Sequence, residues 1–518
     1  MNLAKSFYLT SIFIRYYSYF LLAPILAIFF IDPTLGSMNQ SKILIQAYPF
    51  ILSSLLTFFC SVIVKRFSYN ESIQNDELGR KDGFLIASVV WIFAGIFGAL
   101  PYIFSSLLLP FQDSINLVPI FENNIIINSF FESVSGITTT GASVFTNFPS
   151  LEHHYMLIFW RSLTQWLGGI GIILLVLIIF PRISVGIMQI ASDQEGTGPQ
   201  KERITPRLYQ TGITLLIIYA VITLILFLLL FFIGDLNSFD SIVHSFSTVS
   251  SGGFSSYPLS IETLNNFSVE MIILCFMFLS GISFAIFYFV ITGNFQKILE
   301  NSEFKTFVLF NILLVLSLVL ILQNQYNFET ALDSFRYGSF QALSISTGTG
   351  FTTYNFDQWP SHAKILLLIF LVIGGSSGST TGGIKIVRIL IVVKRVYQEI
   401  RRRISPNVVY TVKINNKALD DEVVTGVLSF LFLFVFICAI SILLIIILEP
   451  NITSLSAASA VLSSIANVGP GFEQVNAHSN YSIFSTPTKL LLTFLMMLGR
   501  LEIFTMIALF LPSFWKKY

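Results

Sequence analysis

Ile137-Thr-Thr-Thr-Gly-Ala142 is a short polar phrase closed by a glycine and set between two long apolar runs. The chain carries three more of the kind: Thr248-Val-Ser-Ser-Gly-Gly253, Ser346-Thr-Gly-Thr-Gly-Phe351 and Ile465-Ala-Asn-Val-Gly-Pro470. Their central glycines, Gly141, Gly252, Gly350 and Gly469, recur roughly every 100–120 residues, the signature of an internal repeat. A single such glycine would be a turn. Four of them between apolar runs predict a pore lined by four backbone segments. Carbonyl oxygens that replace an ion's hydration shell need backbone angles that glycine adopts freely.

Composition sets the surroundings of that pore. Of 518 residues, 54% are hydrophobic and 11% charged, against roughly 25% charged in a soluble domain. This is an integral membrane protein. A net charge of +1 makes no case for nucleic acid or another polyanion. Cys60, Cys275 and Cys438 lie singly in apolar runs and read as small buried hydrophobes, neither a disulfide framework nor a thiolate site. The histidines lack an H-x-x-x-H spacing, so His153-His154 is not read as a metal pair. The first apolar stretch, about Tyr8 to Phe30, has no small-residue cleavage site and reads as a transmembrane helix rather than a signal peptide.

Apolar runs long enough to span predict ten crossings. Two come first, near 8–31 and 43–64; four pairs follow, 83–109 with 155–180, 208–233 with 268–292, 305–323 with 363–395, and 424–448 with 488–513. Within each pair lies a short amphipathic stretch, about 126–137, 238–249, 331–346 and 455–466, followed by one glycine phrase. These stretches cannot cross a bilayer and predict re-entrant half-helices, tolerated at membrane depth only where protein or a cavity surrounds them. The expected fold is all-α. Four tandem helix–pore-helix–filter–helix repeats surround one pore in pseudo-fourfold arrangement, preceded by two extra transmembrane helices. The divisions are 1–70 for the two N-terminal helices, 71–181 for the first repeat, 182–296 for a linker and the second, 297–400 for the third, and 401–518 for a linker and the fourth.

Charge orients the chain. Lys65, Arg66, Arg80 and Lys81 share one loop; Arg182, Lys201, Arg203 and Arg207 share the next on that side. Lys385, Arg388, Lys394, Arg395, Arg401, Arg402 and Arg403 mark a third, and Lys516-Lys517 stand near the end. The opposite loops hold Asp113, Glu122, Glu152, Asp235, Glu262, Asp357 and Glu473. The positive-inside rule puts both termini in the cytoplasm and the glycine phrases in the outer half of the membrane.

Candidate ion-coordinating residues follow from the phrases: Thr139, Thr140 and Gly141; Ser250, Ser251 and Gly252; Gly348, Thr349 and Gly350; Asn467, Val468 and Gly469. A second candidate feature interrupts the last helix of the third repeat: Gly374, Gly375, Ser376, Ser377, Gly378, Ser379, Thr380, Thr381, Gly382 and Gly383. Such a run facing lipid would leave backbone groups without partners, so it is expected to line the conduction path. Arg500 lies eleven residues after Lys489, about 16 Å along a helix at roughly 1.5 Å per residue. An arginine at mid-membrane costs about 2.5–3.5 kcal/mol on insertion scales, so it should face a cavity or a partner. Glu502 cannot serve from the same helix face, because i and i+2 point apart.

Several stretches together resemble the TrkH/KtrB/HKT superfamily, in its TrkH branch. They are Leu78-Gly-Arg-Lys-Asp-Gly-Phe84, Phe131-Glu-Ser-Val-Ser-Gly-Ile-Thr-Thr-Thr-Gly141, Trp160-Arg-Ser-Leu-Thr-Gln-Trp-Leu-Gly-Gly169, the run 374–383, Asn467-Val-Gly-Pro-Gly471 and Leu498-Gly-Arg-Leu-Glu502. The resemblance implies potassium uptake at a bacterial inner membrane, with K⁺ favoured over Na⁺ by glycine at all four filter positions. It also implies that 374–383 is an intramembrane gate, that the charge of Arg500 repels K⁺ beneath the filter, and that the chain works as a homodimer. Segments 182–207 and 396–420 would meet a separate nucleotide-binding ring, TrkA. From the residues alone these basic surfaces suit lipid headgroups equally well. No Gly-x-Gly-x-x-Gly follows a strand, so no cofactor is expected beyond K⁺ as cargo, and no nucleophile–base set suggests an enzyme. Coupling of the flux to H⁺ or Na⁺, and Na⁺ permeation, remain open alternatives.

Overall fold

Four short helices end where the four glycine phrases begin: Ile125–Ile137, Ser238–Val249, Ala331–Ser346 and Ser454–Ala466. They were obtained in a computed structural model that describes residues 2–31, 40–68, 79–108, 120–121, 123–149, 151–179, 205–326, 328, 330–405, 411–415 and 417–516. The expected linker 182–207 lies almost wholly outside the described residues. The longest of the four helices has 16 residues, about 24 Å at roughly 1.5 Å per residue, short of a hydrocarbon core of about 30 Å. Three begin at a side-chain cap. Asn237, Thr330 and Thr453 accept from the backbone N–H of Asp240, Asp333 and Ser456, which satisfies an otherwise orphaned donor.

Around these pore helices stand the spans. Leu3–Ala27, Ile43–Ser68, Lys81–Leu107, Gly212–Phe232, Ser302–Gln325 and Asp421–Leu448 are each long and apolar enough to cross. Leu151–Ile179 is the second helix of the first repeat. The second helices of the other repeats are all broken, whereas a break is expected from sequence only at 374–383. The expected span 268–292 is Phe267–Ser280 and Phe284–Ile291, bent by 96°; 488–513 is Thr486–Arg500 and Ile503–Phe510, bent by 116°. In the third repeat, Ser361–Val372 and Ile386–Ile404 flank the glycine-serine loop. The first unexpected break has a local cause: the loop docks into it. Ser376 N–H donates to the Gly281 carbonyl at 2.9 Å, and Phe284 N–H to the Gly378 carbonyl at 3.1 Å. The other turns at Glu502, whose φ of 62° redirects the chain immediately after Arg500.

The four repeats form a closed ring. A Cβ built on Gly141 would fall on the Gly252 carbonyl oxygen, one on Gly253 on that of Thr349, and one on Gly350 on that of Val468. One on Gly469 would come within 2.6 Å of the Thr140 oxygen, which returns the circuit to the first repeat. The pseudo-fourfold pore expected from the repeats is therefore the arrangement observed.

The N-terminal helices brace the first repeat. Tyr17 stacks edge-on to Trp160 with centroids 5.9 Å apart, and its hydroxyl donates to the Ala94 carbonyl at 3.2 Å. Away from the axis the surface is apolar. On Asp421–Leu448, Phe430, Phe434, Cys438, Ser441 and Ile445 are buried, while Phe432, Val435, Leu443 and Ile447 are exposed. A helix as apolar outside as inside suits hydrocarbon, not water. Cys438 is buried as expected, but Cys60 is only half-buried and Cys275 is exposed. Among the described residues the strands amount to one small antiparallel hairpin, Lys413–Ile414 with Lys417–Ala418.

Candidate ion pathway

Backbone angles give the register of the ring. Thr139, Ser251, Gly348 and Asn467 have φ of 55°, 56°, 69° and 55°; two residues on, Gly141, Gly253, Gly350 and Gly469 have 81°, 75°, 79° and 104°. Hydrogen bonds repeat the correspondence. The N–H groups of Thr140, Gly252, Thr349 and Val468 donate to the carbonyls of Ser135, Ser247, Ser344 and Ser463 at 2.8–3.0 Å. In the second repeat the matching trio is Ser251, Gly252 and Gly253, one residue later than the expected Ser250, Ser251 and Gly252. Two adjacent glycines hide this register in the sequence. Ser250 instead ends the pore helix, its hydroxyl bonded to the Phe246 carbonyl at 2.7 Å. The other three expected trios keep their register. All four pore helices point their C-terminal ends at the ring, where the negative end of each helix dipole favours a cation.

Polar side chains behind the ring hold it. Asn467 Nδ2 donates to Thr140 Oγ1 and to the Met496 carbonyl, both at 2.9 Å, and Tyr481 donates to the Gly469 carbonyl at 2.7 Å. Glu132, fully buried in the first pore helix, accepts from Arg161 Nε at 3.0 Å and from Val144 N–H at 3.0 Å. The Arg161 guanidinium lies 4.0 Å from the Phe254 ring centroid and 4.7 Å from that of Phe145, so the pair joins the first two repeats. In the second repeat Asp240 accepts from Ser256 at 2.5 Å and Tyr257 at 2.6 Å. Reading the sequence for function passed over Glu132, Arg161 and Asp240. The available signal was a charge inside a largely apolar stretch, which at membrane depth demands a partner.

The glycine-serine loop is fastened from every side. Gly374 and Gly382 permit backbone crossings: a Cβ on Gly374 would fall on the Gly382 carbonyl, and one on Gly382 on that of Ala466. Ser377 N–H donates to Glu303 at 2.5 Å, and Gly375 N–H to Thr381 Oγ1 at 3.0 Å. Ser379 and Thr381 share a hydroxyl hydrogen bond at 2.8 Å. Lys385 Nζ donates to the Thr381 carbonyl at 2.5 Å. Gly378 and Gly383 turn through φ of 75° and 68°. Thr380 reaches the ring, with its Oγ1 2.9 Å from Ser251 Oγ and 3.0 Å from the Val249 carbonyl.

Arg500, 1% exposed, completes this fastening. Its Nη1 donates to the Thr380 carbonyl at 2.6 Å and its Nη2 to the Gly168 carbonyl at 3.1 Å. The partner required of a mid-membrane arginine is thus backbone, from the loop and from the first repeat. Glu502 pairs with Arg388 instead. Between loop and final helix lies a narrow cavity, with room for about one water, whose charged lining is Lys385, Arg388, Arg500 and Glu502.

The TrkH family profile, described as a cation transport protein, matches residues 51–517. The chain belongs to the TrkH family. It is accordingly a multi-pass membrane transporter and not an enzyme. The "Trk system potassium uptake protein TrkH" of Salmonella typhimurium is 36% identical over 446 residues, covering 86% of this chain and 88% of that protein. The protein of that name from Vibrio parahaemolyticus is 34% identical over 472 residues, covering 90% and 92%. A crystal structure of the potassium transporter TrkH from Vibrio parahaemolyticus superposes with a TM-score of 0.84 at 29% identity, covering 100% of both chains.

The Glu132–Arg161 pair yields a stability test. Arg161→Met strands a carboxylate in the core and is expected to destabilise the protein by about 3–5 kcal/mol. Glu132→Gln combined with Arg161→Met should recover part of that loss. Thermal unfolding of purified protein in detergent measures both; a double variant no more stable than the single one would deny the pair its energetic coupling.

Proposed function

We propose that this TrkH-family chain carries K⁺ into the cell through the ring of backbone carbonyls on 139–141, 251–253, 348–350 and 467–469. The observation that supports this reading is the closed ring itself: each glycine leaves room for the neighbouring segment's carbonyl tip. Oxygen dipoles presented from four sides suit a bare alkali cation, and its relatives are named as potassium uptake proteins. The filter residues are Thr139, Thr140 and Gly141; Ser251, Gly252 and Gly253; Gly348, Thr349 and Gly350; Asn467, Val468 and Gly469.

In this reading the loop 374–383 is the gate. Its fastening by Arg500, Lys385 and Glu303 describes a closed state, and three basic residues against one acid in the cavity raise a barrier to a cation. The protein sits in a bacterial inner membrane with both termini cytoplasmic, as its basic loops favour. It works as a homodimer in contact with membrane lipid. The relatives' "Trk system" names fit a regulatory partner, which we take to be a TrkA-like nucleotide-binding ring on the cytoplasmic face.

⁸⁶Rb⁺ uptake into liposomes holding the purified protein, under imposed K⁺, Na⁺ and H⁺ gradients, tests the transport reading directly. Uptake no faster than in empty liposomes would overturn it. Gly141→Ser places a side chain against the Gly252 carbonyl and is expected to weaken discrimination against Na⁺ roughly tenfold, about 1.4 kcal/mol. The measurement is Na⁺ competition with Rb⁺ uptake, and unchanged competition would take Gly141 out of the ion-contact layer.

Arg500→Ala removes a charge and two hydrogen bonds to backbone, one of them to the loop. Flux at matched incorporation should rise roughly tenfold, the equivalent of about 1.4 kcal/mol off the barrier. Deletion of Ser376–Thr380 takes away the segment that bonds Gly281, Val249 and Arg500, and it should raise basal flux likewise. Wild-type or lower flux in the deletion, with selectivity intact, would reduce the loop to a kink.

A further inference from the structure

Of the carbonyls that meet the ring glycines (Thr140, Gly252, Thr349 and Val468), the Gly252 oxygen is the one backed by a side-chain donor among the described residues. Gln165 Nε2 donates to it at 2.6 Å, and Gln165 Oε1 accepts from Phe254 N–H at 3.1 Å. The two bonds bracket Gly253. They also fix the orientation of the amide, because its NH₂ can serve only the carbonyl and its oxygen only the N–H.

Gln165 belongs to the wrong repeat for a local support. It is fully buried on Leu151–Ile179, the second helix of the first repeat, yet it holds the ring segment of the second. The fourth repeat shows what stands there otherwise. A Cβ on Gly168 would fall on the Ile137 carbonyl, and one on Gly499 on the Ile465 carbonyl, so these two glycines correspond. Met496 then occupies the place of Gln165, and a thioether has no hydrogen to donate. At the level of the Gly252 carbonyl, among the described residues, the tether therefore acts on one quadrant of the ring.

We propose that Gln165 is a positioning residue for ion selection, one that holds the Gly252 carbonyl at the radius suited to the larger alkali cation. The proposal rests on the reading of the ring as the filter. A carbonyl whose oxygen already accepts a hydrogen bond from a fixed, buried amide is restrained in position, and it shares its lone-pair density with that amide. A smaller ion is bound well only if the oxygens close in around it, and this one cannot follow. Without the amide, Gly252 C=O and Phe254 N–H both lose their partner in a buried site. The ring segment relieves this by giving the freed oxygen over to the ion, which strengthens the field and favours Na⁺.

The test uses the full chain in liposomes, with Na⁺ competing against ⁸⁶Rb⁺ uptake. Gln165→Met installs the residue that the fourth repeat carries at the same place; Gln165→Leu neither donates to Gly252 nor accepts from Phe254. Both should make Na⁺ a better competitor by roughly three- to tenfold, the span of a single hydrogen bond. The apparent affinity ratio should move more than the maximal rate. If Gln165→Met does not incorporate, Gln165→Leu decides alone. Gly141→Ser is measured beside them. An unchanged ratio in the Gln165 variants while Gly141→Ser shifts it would overturn the role of Gln165, including where total flux merely falls. An unchanged ratio in all three would overturn the filter reading together with it.

Discussion

Four carbonyl tips occupy the space where four side chains would begin, and this steric exclusion governs the rest of the structure. It requires glycine at 141, 253, 350 and 469, three of the four because even a methyl group would fall on an oxygen of the next segment. It also forces a left-handed residue two positions earlier, and only the third repeat has glycine there. Thr139, Ser251 and Asn467 hold that conformation with side chains, at a cost on the order of 1–3 kcal/mol each that the surroundings must offset. Asn467 does so with two hydrogen bonds from its amide, and Ser251 through Thr380. The pore helices end where they do for the same reason, since their last carbonyls and the strained segment share one small volume.

The ring and the glycine-serine loop are one mechanical unit. Thr380 touches Ser251 and Val249 with its side chain and Arg500 with its carbonyl, while Arg500 reaches on to Gly168. One loop from the third repeat thereby joins the first, second and fourth. The bends at Gly281 and at Glu502 both face this loop, whereas the second helix of the first repeat departs from helical angles only near its start, at His154. Such a loop cannot shift by itself. Movement that frees Thr380 also releases Ser251, a residue of the ring.

Much of this organisation was legible in the chain. The four half-helices fall within a residue or so of the stretches marked by their length and amphipathic pattern, because a segment too short to cross a bilayer has few other ways to be apolar. The loop 374–383 was legible because ten consecutive glycine, serine and threonine residues cannot face lipid. What escaped depends on neighbours far away in sequence. The bend after Ser280 exists to receive Ser376, and nothing in Ser280-Gly-Ile-Ser283 names that partner. The register at Ser251 to Gly253 was hidden by adjacent glycines that look alike until a neighbouring carbonyl distinguishes them. Arg500 stands out in the sequence by its cost in the membrane, but its partners are backbone carbonyls, which no sequence pattern displays.

The basic residues beneath the ring have two effects that must change together. Lys385 and Arg500 each donate to a loop carbonyl, so in the proposed pathway they hold the loop across the path and place positive charge on the route of a cation. A positive charge left in place after the loop had moved would still oppose conduction in a medium of low dielectric. The proposed gate avoids this conflict. Each charge is oriented by the carbonyl it binds, and retraction of the loop removes that carbonyl and with it the reason for the side chain to point at the path. Glu502, already paired with Arg388 in the lining of the same cavity, is the carboxylate toward which, in the proposed gate, a released cation would be drawn. In the proposed gate, opening is a single exchange of partners, loop carbonyl for carboxylate, in which the steric and the electrostatic barrier fall in the same step.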